Sequence, residues 1–111
     1  MFGNLNFNDV EGKTIGIIAD NIQGAINQTK NATVSYTTIN DIDLIFNNEV
    51  NVSAGTFNAI AKAGRDVYFN DDVEVTGGTM GVYGNNANFE SSAVVENASL
   101  YSFAQSTKFN E

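Results

Sequence analysis

The chain has 111 residues, of which 42% are hydrophobic, 13 are acidic and five are basic, and its formal net charge is -8. This length predicts one domain with a substantial core. The negative charge argues against nucleic acid and anionic membrane surfaces as partners. The sequence has no His and no Cys, which excludes imidazole proton shuttles, thiol catalysis, disulfides and thiolate metal sites. It contains no run of about 20 apolar residues, so no transmembrane segment is predicted.

Residues 1–12 alternate weakly, with Phe2, Leu5 and Phe7 apolar among Asn and Gly. This pattern predicts an extended arm or an irregular first strand that covers one end of the domain, and a frayed terminus is the alternative. A strand donated by this arm to the sheet edge of another copy would bind through its main chain, and the three apolar side chains would provide specificity. We therefore expect them in an interface. The arm lacks the features of a secretory signal.

Residues 13–32 are rich in isoleucine at spacings that fit either one helix face or alternate positions of strands. Isoleucine is β-branched and favours strands, and Gly16 and Gly24 weaken a helix. Ile17 also precedes Ile42 by the same number of residues as Ile42 precedes Val67. Ile42 and Val67 are matched residues of a repeat in the middle of the chain, described next. We therefore predict strands in this segment.

Residues 41–82 contain two copies of one repeat, each with three short segments whose apolar residues alternate. A repeat of this length cannot bury its apolar side alone, but it can when it stacks on a neighbour. Matched residues of the first segment are slightly farther apart in the sequence than matched residues of the second and third segments, which share one offset. The matched pairs are Ile42 and Leu44 with Val67 and Phe69, Val50 and Val52 with Val73 and Val75, and Phe57 and Ala59 with Met80 and Val82.

The pattern extends on both sides of these two copies. Val34 and Tyr36 precede Phe57 and Ala59 by the offset that the last two segments share, and residues 87–103 repeat the third coil at a shorter offset. The abundance of Asn, Thr, Val, Ile and Gly agrees with strands and polar corners. We predict an all-β solenoid of about four to five coils with three short strands each. Its parts are an N-terminal arm (1–12), the solenoid (13–104) and a C-terminal tail (105–111).

Coils of a β-solenoid lie about 4.8 Å apart, so equivalent residues stack in rows along the axis. We expect Phe69 to lie against Phe89 and Val50 against Val73, because such rows are equivalent to cross-strand pairs. We also expect Asn47 to stack with Asn70 in a polar corner.

The segment AGRDVYFNDDVEVTGGTMGV (63–82) resembles the haemagglutinin-type repeats of filamentous haemagglutinin-like exoproteins, in which Ala-Gly-Arg-Asp-Val is a recurring phrase. With residues 41–59 it is also similar to the coat-hanger-stack repeats of secreted Bacteroidetes surface proteins. The resemblance covers residues 33–103. It implies a right-handed parallel β-helix in an extracellular or cell-surface adhesin, stalk or fibre, without catalytic residues in the repeats. Bactofilins share the size and the polymerising habit, but their coils are shorter.

One acidic corner is a candidate calcium site. Asp71 and Asp72 are adjacent, and Glu49 is expected at the same corner one coil below. Oxygen ligands from neighbouring coils could hold Ca²⁺. The alternative is that the carboxylates keep the surface soluble, since the sequence has no EF-hand loop and no Gly-Gly-x-Gly-x-Asp repeat. No other cofactor is predicted.

Two further groups of residues are candidates for a functional role. A polysaccharide-cleaving cluster would need paired carboxylates beside a groove, and its candidates are Asp66, Glu74 and Glu90 with Arg65. The chain lacks long loops and has few coils, so we predict that it is not an enzyme. The tyrosines are expected mostly at outward or corner positions, where they could stack on sugars or fill an interface.

The ends of the solenoid indicate a structural role. Terminal coils expose backbone N–H and C=O groups that must be capped, covered or paired, and no capping helix is evident. We predict a subunit of a surface filament, or a segment of a fibrous adhesin, that assembles by end-to-end stacking. Leu100 and Phe103 are expected at that interface with the arm. The partner is another copy or the rest of a longer surface protein. The alternative is a carbohydrate- or host-surface-binding module of a secreted protein.

Overall fold

The computed structural model describes residues 5–6 (backbone only), 14–18, 21–29, 31–38 and 41–109. The described residues form three parallel five-stranded sheets and contain no helix. The chain enters the three sheets in turn, so each coil adds one strand to each sheet. The predicted all-β solenoid of about four to five coils is confirmed.

The first sheet contains, in spatial order, β1 (Leu5–Asn6), β4 (Ile26–Gln28), β7 (Val50–Val52), β10 (Val73–Val75) and β13 (Ala93–Val95). The second contains β2 (Thr14–Ile18), β5 (Thr33–Thr37), β8 (Thr56–Ile60), β11 (Thr79–Tyr83) and β14 (Ser99–Ser102). The third contains β3 (Asn21–Ile22), β6 (Leu44–Phe46), β9 (Val67–Phe69), β12 (Asn86–Phe89) and β15 (Ser106–Phe109). We call β1, β2 and β3 the first coil, and β13, β14 and β15 the last coil.

Strict alternation of side chains creates the core. In β5 and β8 the second and fourth residues are buried, while the first, third and fifth are partly exposed. Successive side chains of a strand point to opposite faces of its sheet, so one face of every sheet fills the interior. The buried residues of all three sheets form a single cluster along the axis.

A glycine makes one corner between the first and second sheets possible. Gly78 has a φ of 79°, a conformation that residues with a side chain rarely adopt. A Cβ atom at this position would also lie 2.2 Å from the carbonyl oxygen of Gly55 in the coil below. Gly78 therefore serves both the turn and the close approach of two coils.

Four phenylalanine rings form a ladder along the inner face of the third sheet. Their centroids are 4.9 Å apart from Phe46 to Phe69, 4.8 Å from Phe69 to Phe89 and 4.7 Å from Phe89 to Phe109. The planes of neighbouring rings differ by 4°, 8° and 10°. These separations match the spacing of hydrogen-bonded strands, about 4.8 Å. The expected stacking of Phe69 on Phe89 is confirmed, and so is the pairing of Val50 with Val73.

The predicted register of the first repeat segment is wrong by two residues. Leu44 pairs with Val67 and Phe46 with Phe69, so this segment has the same offset as the other two. Ile42, which the alignment of the repeats matches with Val67, is exposed in the corner before β6. A shift by two preserves which residues face inward, so alternation alone does not distinguish the two registers.

The first coil is also in a different register from the one predicted. Ile17 pairs with Tyr36 in the second sheet, so its expected place below Ile42 is wrong. The strand prediction for this region is confirmed, because β2, β3 and β4 replace the alternative helix. Tyr36 is fully buried beside Phe46 and Phe57, although the tyrosines were expected mostly at outward or corner positions. The alignment of Val34 and Tyr36 with Phe57 and Ala59 is confirmed.

The sheets extend beyond residues 13–104 at both ends. Leu5–Asn6, in the predicted arm, pairs with Ile26 and Asn27, and β15, in the predicted tail, pairs with β12. Phe2 and Phe7 lie outside the described residues. Within those residues, no helix is long and apolar enough to cross a membrane.

Replacing Phe69 by alanine should lower the free energy of unfolding by about 3–5 kcal/mol, because the change leaves a cavity between two stacked rings. Phe109→Ala is the matched control, since Phe109 stacks on one side only and is 51% exposed. Its effect should be clearly smaller. Urea denaturation followed by circular dichroism measures both, and equal losses would contradict a ladder that is packed inside and open at its end.

Candidate functional site

Carboxylate and amide side chains hold the coils together at the corner before the third sheet. Asp43 Oδ1 accepts a hydrogen bond of 2.9 Å from the backbone N–H of Asp66. Asp66 Oδ1 in turn accepts from the backbone N–H and from the side-chain amide of Asn86, both at 3.0 Å. These bonds join three successive coils. Asp66, a candidate for sugar-cleaving chemistry, is thus engaged in holding the solenoid together.

Arg65, another member of that candidate cluster, pairs with acids outside the cluster. Its Nε atom lies 3.2 Å from Asp43 Oδ1 and 4.0 Å from Asp41 Oδ1. Glu74 lies on the outer face of β10, which belongs to a different sheet from the strand that follows Arg65. The structure therefore does not place Glu74 with Arg65 and Asp66 on one strand face.

An asparagine ladder runs along the corner after the third sheet. The side-chain amide of Asn47 donates to Asn21 Oδ1 at 2.5 Å, and that of Asn70 donates to Asn47 Oδ1 at 3.3 Å. The expected stacking of Asn47 with Asn70 is confirmed. Asparagine carries both a donor and an acceptor, so identical side chains can bond to each other at the spacing of the coils.

The acidic corner is organised by hydrogen bonds. Asp72 Oδ1 accepts from the Ser91 hydroxyl at 2.5 Å and from the backbone N–H of Ser92 at 3.2 Å. Asp71 Oδ1 accepts from the backbone N–H of Asp72 at 2.7 Å. In the part of the chain that the structure describes, no group of three or more acidic side chains is arranged to hold a metal ion. The calcium site at Asp71, Asp72 and Glu49 stays a prediction without geometric support.

Exposed apolar side chains are concentrated at the two ends of the solenoid. Among the described residues, six large apolar side chains are exposed, and one of these six, Ile42, lies between the ends. Ile18 belongs to the first coil, and the others lie on or next to strands of the last coil: Val95, Tyr101, Phe103 and Phe109. Of the two predicted interface residues here, Phe103 is exposed, and Leu100 is half-buried against the core.

Three aromatic rings form a platform on the outer face of the second sheet. Tyr83 and Phe103 stack with centroids 4.8 Å apart and planes within 6°, and Tyr101 lies 6.3 Å from Phe103. A Cβ atom on Gly81 would approach the Tyr83 ring to 3.2 Å, so the glycine leaves room for that ring. Sequence reasoning missed this aromatic platform, although the spacing of Tyr83 and Phe103 in the sequence equals the offset between the last two coils.

Comparisons with protein-family models, with curated proteins and with solved structures each found no significant match. The resemblance of residues 33–103 to secreted solenoid repeats therefore stays a prediction.

The hydrogen bonds from Ser91 and Ser92 lower the pKa of the Asp72 carboxyl below its ordinary value. A lowered pKa in the folded state means that ionised Asp72 stabilises the fold above the unfolded-state pKa, about 3.9, and that this contribution is lost as the pH falls through the folded-state value. Ser91→Ala should raise the Asp72 midpoint in an NMR titration of the carboxyl carbons. Ser53→Ala, at a corner of another coil, is the control and should leave the midpoint unchanged. An unmoved midpoint in Ser91→Ala would contradict the assigned bond.

Proposed function

We propose that this protein is a structural, self-assembling solenoid, a subunit of an extracellular or cell-surface filament or a segment of a fibrous adhesin, which joins end to end by stacking of coils. One observation supports the proposal: four of the six inner rows keep apolar side chains in the last coil, and two of these, Val95 and Phe109, are exposed there. In the other two rows Ser102 follows Val82 and Thr107 follows Ala87. Phe89 is 1% exposed, whereas Phe109, the next ring of the same ladder, is 51% exposed.

The strands of the last coil also present their backbone edge. They are the outermost strands of their three sheets, all at the same end of the solenoid. Proteins commonly protect such edges with Pro, with charged side chains or with bulges. This chain contains no Pro, and the three strands, AVV, SLYS and STKF, contain a single charge, on Lys108. An apolar edge with so little protection favours pairing with another coil.

Joining the two different ends of a solenoid is a heterologous contact. Such a contact propagates into a fibre unless a rotation between copies closes it into a ring. Every copy carries a formal charge of -8, so copies repel one another at low ionic strength. Salt screens charges that are separated by more than about 8–10 Å, so assembly by apolar ends should strengthen with salt.

The aromatic platform favours a second candidate function, the binding of a carbohydrate. Tyr83, Tyr101 and Phe103 offer adjacent flat apolar faces, and the two tyrosines add hydroxyl groups for hydrogen bonds. A neutral glycan would not be repelled by the acidic chain. In this function the last coil would bind a sugar with its outer face and would not need a second copy.

Negative-stain electron microscopy and analytical ultracentrifugation of the full chain test the first function. We expect thin unbranched fibres whose amount grows with protein concentration and with NaCl. Monomers under all conditions would contradict a filament subunit. Fibres that form only with millimolar CaCl₂ would instead assign the acidic corner a metal-dependent role.

A glycan array tests the second function. If the platform binds sugar, Tyr101→Ala should weaken binding at least tenfold, because stacking on the ring is lost. Tyr68→Ala is the matched control, since Tyr68 lies on the outer side of the third sheet, away from the platform. Equal binding by the two variants would contradict a sugar site at the platform.

A further inference from the structure

We propose that β14 of one copy pairs in parallel with β2 of a second copy, so that the second sheet continues without a break from one copy to the next. The inference rests on the proposed end-to-end assembly and adds to it a partner surface, a polarity and a register. Its occupant is a second copy of this chain.

The register follows from the pairing inside the chain. The second sheet has β2 at one edge and β14 at the other, and all its neighbouring strands are parallel. One inner row runs from Ile15 to Leu100, and one outer row runs from Thr14 to Ser99. Repeating the same step across the junction places Ile15 of the second copy on Leu100 and Thr14 on Ser99.

The most exposed apolar side chains at the two ends lie on one row. Ile18 is 66% exposed at the end of β2, and Phe103 is 60% exposed directly after β14. Both belong to one outer row. Ile18 pairs with Thr37, and Thr37 pairs with Ile60. Ile60 pairs with Tyr83, whose ring stacks on Phe103. The proposed junction brings Phe103 against Ile18 and removes both from water, which is the main driving force for association.

A glycine provides room for the remaining aromatic residue. Gly16 and Tyr101 are the two ends of the middle outer row, so the junction places Tyr101 beside Gly16. A Cβ atom on Gly16 would meet no atom within 4 Å, so the space above it is open. Within the chain, Tyr101 is likewise paired with a glycine, Gly81.

Charge and symmetry favour this polarity. Neither edge segment, 14–18 or 99–103, contains a charged residue or a proline, so no side chain of either segment opposes pairing. A symmetric junction of two last coils would pair β14 with itself in antiparallel fashion. Centred on Tyr101, that junction sets Phe103 opposite Ser99 and leaves Ile18 exposed. Head-to-tail pairing of β14 with β2 covers Phe103 at one end and Ile18 at the other.

The end of the solenoid as a whole is comparable in size with a standard interface. The chain measures 33 × 28 × 22 Å along its principal axes. Five coils at about 4.8 Å spacing need roughly 20 Å, so the shortest dimension lies along the solenoid and the other two span its end. The whole end can bury several hundred Å², against about 800 Å² per partner in standard interfaces, and the second sheet forms one of its three sides. Ile22, at the end of the row in the third sheet, is already buried, so the proposal is confined to the second sheet.

Engineered cysteines test the register, because the chain contains none of its own. The two positions to be changed, Thr14→Cys and Ser99→Cys, lie on the outer face. Residues paired across parallel strands are about 4.8 Å apart, and a disulfide spans about 4.4–6.8 Å between Cα atoms.

An oxidised mixture of the two full-length variants should give a linked dimer on a non-reducing gel. Each variant alone should stay monomeric on that gel, and the double variant should give a ladder of linked copies. The control pair is Thr14→Cys with Thr76→Cys, whose second position is an exposed corner, and it should give no ladder.

The outcomes separate this inference from the proposed function. Fibres in the microscope without a link between positions 14 and 99 would overturn the register and leave end-to-end assembly standing. A linked dimer from Tyr101→Cys alone would show the symmetric junction centred on Tyr101, and one from Ser99→Cys alone would show a symmetric junction centred on Ser99; either would overturn the polarity. Absence of both fibres and links would overturn the two proposals together.

A charge at the edge provides a second test without cysteines. Thr14→Lys should reduce assembly at least tenfold, measured as the rise in the concentration at which fibres appear, since it places a charge beside Ser99 on the outer face of the junction, and a lysine on an edge strand disfavours pairing. Thr76→Lys makes the same substitution on an exposed corner outside both edge strands and should assemble as the unmodified chain does. Circular dichroism establishes that both variants are folded. Equal assembly of the two would overturn the junction.

Discussion

The hydrogen-bonded spacing between parallel coils is the constraint on which the rest of the structure depends. Backbone bonds such as that from Leu44 N–H to the Asp66 carbonyl, 2.9 Å, fix equivalent residues of neighbouring coils at the distance of two paired strands. Each inner row must then be filled by side chains that pack at that distance. Flat rings do so when they stack in parallel, which is why Phe46, Phe69 and Phe89 adopt nearly the same orientation.

The same spacing governs the polar corners and explains the asparagine content. Identical carboxylates stacked at this distance would repel, whereas identical amides can donate and accept in turn. Asn51 donates to Asn27 at 3.1 Å on the outer side of the first sheet. Where two acids do stack, at Asp43 and Asp66, a backbone N–H and Arg65 offset the charge. The polar residues that first suggested chemistry therefore maintain the register of the coils.

The architecture could be predicted from the sequence because short segments with alternating apolar residues recur at similar offsets, and the alternation identifies the inner face of each. The register of β6 could not be predicted, because the apolar alternation begins at Ile42, two residues before the strand itself begins at Leu44. At the candidate site, Phe103 was predicted as exposed interface and is exposed. The hydrogen bonds of Asp72 were not predicted, because their donors are serines of the next coil. The offset from the coil of Asp72 to that next coil is shorter than the offset from the coil below to the coil of Asp72.

The exposed end differs from the interior in its surroundings more than in its residues. Phe89 and Phe109 each stack on the ring below at nearly the same distance, 4.8 and 4.7 Å, yet only Phe89 is covered from above. Leu100 likewise continues the row of Phe57 and Met80. A surface made for water would carry polar residues in these rows, because exposed apolar rows provide no stability to a lone chain. The last coil does so in two inner rows, where Ser102 follows Val82 and Thr107 follows Ala87, and it keeps apolar side chains in the other four. A surface that keeps most of the interior pattern suits another coil at the same spacing, from a second copy or from the rest of a longer protein, and this supports stacking over the binding of a small ligand.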